Sequence, residues 1–188
     1  MSAPPANLPH SLPSVLVRTL AIFCVIAVVS LVYGCLCVLL LPWRRLRIRL
    51  GNLYGWCIGV PGLWLAGLHM EVKHRERIAA YGPAIFVNNH TSTLDMWMVM
   101  ALRLPGVCGV AKKEIVWVPF FGLAYLLSGH LLIDRGNRQR AFASLARAAD
   151  VVKRHRLGLW MWPEGTRSRD GVLRPLKKGF VHMAIATG

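Results

Sequence analysis

At 188 residues, the chain is long enough to bury one good-sized hydrophobic core and too short for two. Hydrophobic residues make up 55% of it, above the roughly 45–50% of ordinary soluble domains, and the excess lies at the N-terminus, which indicates a membrane protein. The net charge of +15 favours anionic partners: phospholipid headgroups, phosphorylated substrates or nucleic acid.

The N-terminal region is predicted to be a flexible tail followed by a membrane helix. Residues 1–14 are rich in Pro, Ser and Ala, and no residue from Thr19 to Trp43 is charged. A helix of that length would cover about 37 Å, enough to cross a bilayer core of about 30 Å. A signal peptide is the alternative, but the basic residues follow the apolar run and no small-x-small cleavage site comes after it. The basic residues directly after the run are Arg44, Arg45, Arg47 and Arg49. They predict a cell (inner) membrane location with the C-terminal side in the cytoplasm.

A second uncharged stretch runs from Leu50 to Met70 and is interrupted by Pro61. Gly51, Gly55 and Gly59 recur at spacing four, which gives one smooth helix face for close packing. We therefore predict a half-buried or re-entrant helix packed on the first helix. A second membrane span is the alternative.

The membrane-anchoring region is assigned to residues 15–70, and from Glu71 the composition becomes that of a globular domain, assigned to residues 71–188. Short apolar runs predict strands at Ile85–Asn88, Gly106–Ala111, Leu131–Asp134 and Leu157–Trp162. Amphipathic or apolar stretches predict helices at Leu94–Leu102, Ile115–Leu127, Arg138–Arg154 and Lys177–Ala186. Strands and helices in alternation predict an α/β fold with a largely parallel sheet flanked by helices.

A histidine and a carboxylate, His90 and Asp95, follow the first predicted strand at a spacing of five. The chain must turn between the end of the strand and the start of the next helix, which can bring the carboxylate to the imidazole. An imidazole base oriented by a carboxylate is the smallest set of side chains that can remove a proton from a hydroxyl. The alternative is structural, because Ser92 with Asp95 has the form of a helix capping box.

Charged residues also follow the other three predicted strands. Because ligand sites gather at the carboxyl ends of parallel strands, Arg135 and Arg167 are expected to converge near His90. A guanidinium fork matches a phosphate group well. The alternatives are a local ion pair between Asp134 and Arg135 and ordinary loop chemistry after Pro163.

Three segments in order resemble the bacterial 1-acyl-glycerol-3-phosphate acyltransferase family: Asn89–Asp95, Gly129–Arg135 and Pro163–Ser168. The resemblance covers roughly Glu71 to Gly188. Trp162 stands where the family often has Phe, and His130 stands where it usually has a smaller or apolar residue. The family continues with a fourth block beyond Gly188, so the resemblance predicts a C-terminally incomplete domain.

The resemblance implies transfer of a fatty acyl group to the free sn-2 hydroxyl of a lysophospholipid, with lysophosphatidate giving phosphatidate. The donor would be acyl-CoA or acyl-acyl carrier protein, and no cofactor is required. His90 would be the general base, and Asp95 would fix its tautomer and stabilise the imidazolium. The implied substrate-binding residues comprise Arg135 and Arg167 for the phosphate, Glu164, Gly165 and Thr166 for the glycerol, and Lys112 and Lys113 for the phosphate or the acidic carrier protein.

Other readings differ in the acceptor or in the class of protein. The acceptor could be another lyso-lipid, such as lyso-ornithine lipid, or the chain could be a non-catalytic membrane protein that retains the fold. Membrane lipids are expected partners, whereas nucleic acid is not, because no basic stripe alternates with aromatic residues. The five cysteines form no Cys-x-x-Cys pair and no His or Cys cluster has zinc spacing, so we predict no metal site.

Overall fold

The computed structural model describes residues 11–80 and 83–188. Its helices are α1 Leu12–Leu39, α2 Arg44–Leu65, α3 Arg75–Ala80, α4 Asp95–Ala101, α5 Phe121–Ser128, α6 Arg138–His155 and α7 Gly179–Thr187, with a 3-10 helix at Lys113–Trp117. Its strands are β1 Ile85–Val87, β2 Val107–Lys112, β3 Leu131–Ile133 and β4 Gly158–Met161. The described residues therefore form an α/β fold preceded by two long helices.

Helix α1 is long and apolar enough to cross a membrane, and within the described ranges it alone passes that test of length and composition. Large apolar side chains such as Leu16, Leu20, Phe23 and Leu31 are exposed along it, as expected of a helix that faces lipid. Residues 12–14, expected in the flexible tail, lie in its first turn. Residues 1–10, the rest of that predicted tail apart from Ser11, lie outside the described residues.

Helix α2 packs against both α1 and α4. It stacks Tyr54 on Tyr33 of α1, with ring centroids 4.6 Å apart. Gly55 and Gly59 face α4, where a Cβ at Gly59 would lie 2.9 Å from the Ala101 amide nitrogen. Gly51 instead faces His130 and Tyr33 of α1. The prediction of a helix packed on the first is therefore confirmed, and most of its glycine face packs on α4. The helix also begins at Arg44 rather than Leu50, so the basic cluster is helical.

The sheet has four parallel strands in the order β1-β4-β2-β3. This confirms the predicted parallel sheet, with strand ends shifted by at most one residue. The parallel strands give the sheet a carboxyl edge, where the loops after each strand gather, and an amino edge at the opposite end. Every predicted site residue lies at the carboxyl edge, in the loops beside it, or at the first residue of the helix that follows.

The predicted helix Ile115–Leu127 is wrong in one respect, because it is divided into a 3-10 helix and α5. Pro119 has no amide hydrogen, and it forces Val118 into an extended conformation with ψ 120°. Phe120 follows with φ 60°, a conformation that a helix cannot contain. The short helix α3 was not predicted.

Two clusters of buried side chains hold the layers together. One lies between the sheet and helices α6 and α7 and includes Val152, Leu159 and Met183. The other lies among α1, α2 and α5 and includes Tyr54 and Phe121. Each large apolar side chain contributes roughly 1.5–3 kcal/mol when fully buried. The predicted anchoring helices and the predicted domain therefore share a hydrophobic core.

Candidate active site

His90 and Asp95 are in direct contact. His90 lies in the loop after β1, and Asp95 is the first residue of α4. Their atoms Nδ1 and Oδ2 are 2.8 Å apart, and the same oxygen accepts the backbone amides of Thr91 at 2.8 Å and Ser92 at 2.9 Å. Burial acts to raise the pKa of Asp95, but the hydrogen bonds from Ser92, His90 and Thr91 outweigh it and lower the pKa. The ionised carboxylate can only accept, so Nδ1 donates, and in the neutral imidazole Nε2 is then the acceptor.

The capping interpretation and the acid–base interpretation of this segment are compatible. The Ser92 hydroxyl oxygen accepts the Leu94 amide at 3.1 Å, while Asp95 accepts the amide of Ser92. Only the second of these bonds belongs to a standard capping box. The same carboxylate therefore holds the loop before α4 and orients the imidazole, although no described side chain caps the amides of the helix itself.

Trp162 forms one wall of the site. Its ring stacks on the His90 imidazole with centroids 4.8 Å apart and an angle of 27° between the planes. Its indole Nε1 is buried and has no hydrogen-bond partner among the described residues. The His90 side chain is 21% exposed and that of Asp95 13%, so the pair is sheltered but open at one side.

Glu164 lies behind the His90 loop and is 1% exposed. Its Oε1 accepts the His90 backbone amide at 2.7 Å, and its Oε2 accepts the Arg174 backbone amide at 2.9 Å. The His90 carbonyl in turn accepts the Ser168 amide at 2.7 Å. The segment after β4 therefore holds the loop that carries His90, with Glu164 as a positioning residue.

The remaining predicted residues of this segment are more open. Gly165 adopts φ 67°, which favours glycine, and its carbonyl accepts the Arg135 guanidinium at 2.9 Å. Arg167 donates to the Thr93 hydroxyl, three residues after His90. Thr166 is exposed. Arg135 and Arg167 are thus both attached to the loops that surround His90.

The two predicted lysines differ in their surroundings. Lys113 Nζ lies 3.0 Å from Asp134 Oδ2, so Asp134 pairs with Lys113 rather than forming the alternative local pair with Arg135. The Gly136 amide and the Lys113 ammonium lower the pKa of Asp134. Lys112, the last residue of β2, is exposed and has no ion pair within the described part of the chain.

Sequence reasoning did not assign Lys177 to the site. Its side chain lies across Gly165, where a Cβ would meet both Cδ and Nζ at 3.0 Å. Its backbone amide donates to the Pro163 carbonyl at 2.8 Å. The signal available in the sequence was the Lys177–Lys178 pair in front of the last helix.

An apolar cavity extends from Trp162 between α2, α4, α5 and the sheet. Met96, Met100 and Tyr54 line its helical walls. His130 also lines it, with Nδ1 accepting the Gly109 amide at 3.0 Å. Burial, together with the positive charge of Arg44, lowers the pKa of His130 to about 4, so this imidazole is neutral at pH 7.

Metal ligands are not grouped in the described ranges, where no three His, Cys, Asp or Glu side chains could hold an ion together.

Comparisons with known proteins agree with the arrangement of these segments. A family model described as Acyltransferase matches residues 69–188. The chain is 45% identical over 163 residues to 1-acyl-sn-glycerol-3-phosphate acyltransferase from Limnanthes douglasii, covering 87% of this chain and 57% of the relative. It is 43% identical over 124 residues to the protein of the same name from Escherichia coli strain K12, covering 66% and 51%. The chain spans about half the length of these curated relatives.

A solved structure shares the fold. It is the crystal structure of the 1-acyl-sn-glycerophosphate (LPA) acyltransferase PlsC from Thermotoga maritima, with a TM-score of 0.64 at 22% identity. The match covers 92% of this chain and 70% of that chain. It therefore includes the N-terminal helices as well as the sheet.

Proposed function

The chain belongs to the acyltransferase family, and we propose that it transfers a fatty acyl group from an acyl thioester to the free sn-2 hydroxyl of lysophosphatidate, giving phosphatidate. The observation that carries this proposal is the 2.8 Å hydrogen bond between His90 Nδ1 and Asp95 Oδ2. It directs the unprotonated Nε2 of a neutral imidazole away from the carboxylate, where it can accept a proton from a substrate hydroxyl.

The proposed reaction needs no nucleophile from the protein. The acceptor's hydroxyl oxygen attacks the thioester carbonyl carbon while its proton passes to His90 Nε2. The tetrahedral intermediate then collapses, the C–S bond breaks, and the departing thiolate takes the proton back from Nε2. Asp95 stabilises the imidazolium between these two steps. A general base of this kind typically contributes about 10²–10⁴-fold to the rate.

Arg135 and Arg167 are proposed to hold the phosphate of the acceptor. Both are attached to the loops around His90, through the Gly165 carbonyl and the Thr93 hydroxyl. Lys112 is proposed to assist them, because Lys113 is already engaged by Asp134. Fixing the phosphate fixes the hydroxyl beside His90, and such orientation is worth several kcal/mol.

The glycerol is proposed to lie over the turn at Gly165 and Thr166. Gly165 has no side chain and lies beneath the Lys177 side chain, and the Thr166 side chain is exposed. The role proposed for Glu164 is to hold this turn and His90 in register, because both of its carboxylate oxygens bind backbone amides.

An acyl substrate is supported by the apolar cavity that begins at Trp162, against the ring of His90. Its walls are mostly apolar side chains such as Met96 and Met100, which favour a hydrocarbon chain over a polar group. The donor is proposed to be acyl-CoA or acyl-acyl carrier protein. The exposed ammonium of Lys112 suits the acidic surface of a carrier protein.

The proposed location is the cell (inner) membrane, with the domain on the cytoplasmic side. Helix α1 supplies the apolar segment, and the arginines at the start of α2 follow it directly. Both the lysophospholipid and the product would remain in the bilayer that α1 enters.

The test is acyl transfer from labelled acyl-CoA in membranes that contain the chain, with lysophosphatidate and lyso-ornithine lipid compared as acceptors. The proposal expects labelled phosphatidate and a clear preference for the phosphate-bearing acceptor. Equal or better use of lyso-ornithine lipid would assign the same chemistry to a different lyso-lipid. If neither acceptor is acylated, and a repeat with labelled acyl-acyl carrier protein as the donor gives the same result, the chain is a non-catalytic member of the family.

A further inference from the structure

Five arginines converge on a concavity at the amino edge of the sheet, away from His90. We call this concavity, of about 540 Å³, the arginine basin. Gly106 and Gly158, at the starts of β2 and β4, lie among its lining residues. The arginines come from α2, the start of α3, the loop after α4 and the end of α6: Arg45, Arg49, Arg75, Arg103 and Arg156.

The charge of the arginine basin is not compensated by an acidic side chain, because no Asp or Glu is present among the described residues that line it. Arg103 lies over the Trp56 ring at 5.5 Å, and Arg75 donates to the Leu102 carbonyl at 2.9 Å. The other three guanidinium groups form no hydrogen bond or ion pair with any described residue: Arg45, Arg49 and Arg156.

Ordinary explanations account for only some of these arginines. Arg103 and Arg156 follow the ends of helices, where positive charge is favoured by the helix dipole. Arg45 lies in the first turn of α2, where the same dipole opposes it. Membrane topology explains basic residues directly after α1, but not arginines that reach the same concavity from three later segments.

Further positive charge lies beside the arginine basin. Burial lowers the pKa of His155, and the charges of Arg44, Arg154 and Arg45 lower it further. Five positively charged side chains that line one concavity repel one another, so an anion bound there would stabilise the folded chain.

We propose that the arginine basin binds a phosphate-bearing anion. The planar guanidinium group pairs with phosphate oxygens through two parallel hydrogen bonds, and three of the five have their donors unused. The same chemistry is offered by a soluble phosphate compound and by the headgroup of an anionic phospholipid. The site is separate from the carboxyl-edge loops, so it does not depend on the acyl-transfer proposal.

The test uses the purified full chain in a neutral detergent. Pyrophosphate is titrated at constant ionic strength while thermal unfolding is followed by tryptophan fluorescence. The double variant Arg49→Gln/Arg156→Gln removes two charges from the arginine basin. The matched control, Arg140→Gln/Lys153→Gln, removes two exposed charges of α6 that lie outside it. A second arm repeats the unfolding titration with water-soluble short-chain phosphatidylglycerol, or short-chain phosphatidylcholine, in place of pyrophosphate.

Saturable stabilisation of the parent by pyrophosphate is expected, with an apparent Kd weakened about tenfold or more in the basin variant and unchanged in the control. Stabilisation by phosphatidylglycerol but not by phosphatidylcholine, weakened in the same variant, would identify the anion as a lipid headgroup. A response to pyrophosphate alone would identify a soluble phosphate compound. The proposal is overturned if the parent shows neither response, or if the basin variant matches the control in both.

Discussion

The Oε1 atom of Glu164 accepts the backbone amide of His90 at 2.7 Å, which joins the loop after β4 to the loop after β1. The side chain is buried, and its second oxygen accepts the Arg174 amide at 2.9 Å. Two segments that are 74 residues apart in sequence are therefore fixed by one carboxylate. The position of His90, the proposed base, therefore depends on Glu164, although Glu164 forms no hydrogen bond with the imidazole.

Replacing Glu164 with Gln should lower kcat more than it changes KM for lysophosphatidate. The amide retains one acceptor oxygen, but its NH₂ group faces a backbone N–H and leaves that donor unpaired, at a cost of roughly 1–3 kcal/mol. Steady-state kinetics and thermal unfolding check this, with Glu76→Gln as the exposed control. A variant with parental kcat and a raised KM would instead place Glu164 in substrate binding.

Replacing Gly59 with Ala should destabilise the chain, because the new Cβ meets backbone atoms of α4 that cannot move aside. It would lie 2.9 Å from the Ala101 nitrogen and 3.0 Å from the Trp97 oxygen. We expect a loss of roughly 1–3 kcal/mol. The matched control is Gly34→Ala on α1, where the nearest atom, in Leu127, is at 3.9 Å. Equal unfolding midpoints for the two variants would contradict the α2–α4 packing.

Stability should fall as the pH drops from about 6.5 to 4, in part because of His130. Its folded pKa of about 4 lies below the ordinary value, so the unfolded chain binds the proton first and is favoured as pH falls. The effect is on the order of 3 kcal/mol. His130→Asn keeps an acceptor for the Gly109 amide but does not titrate. Its unfolding midpoint, measured across this range, should therefore change less than that of the parent; parallel curves would refute the assignment.

Replacing Arg167 with Gln should raise KM for lysophosphatidate by about tenfold or more, the size expected for a lost charge-assisted hydrogen bond. Arg169→Gln is the matched control, since Arg169 is exposed nearby and has no ion pair among the described residues. The two variants are compared in the same transfer assay. A similar KM in both would remove Arg167 from the proposed phosphate site.

Much of the fold followed from local pattern, because each strand is a short apolar run that ends in polar residues. The spacing of His90 and Asp95 predicted their contact correctly, since a strand end and a helix start must meet there. The family resemblance, carried by three segments, is confirmed by the match over residues 69–188.

The rest depended on tertiary contacts that a single sequence does not display. The glycine face of α2 was visible, but its partner α4 was not. Glu164 gave no sign that both of its oxygens would bind backbone amides. Pro119 could have predicted the interruption of the helix, but the apolar residues on either side of it favoured one continuous helix.

The central claim is that His90 is the general base, and the most direct measurement is transfer from labelled acyl-CoA to lysophosphatidate by the parent and by His90→Ala. Expression and unfolding midpoints are matched first, with His182→Ala as a control histidine on α7. The account predicts phosphatidate from the parent and the control, and a rate at least about a hundredfold lower for His90→Ala. A folded His90→Ala variant that retains the parental rate would contradict it.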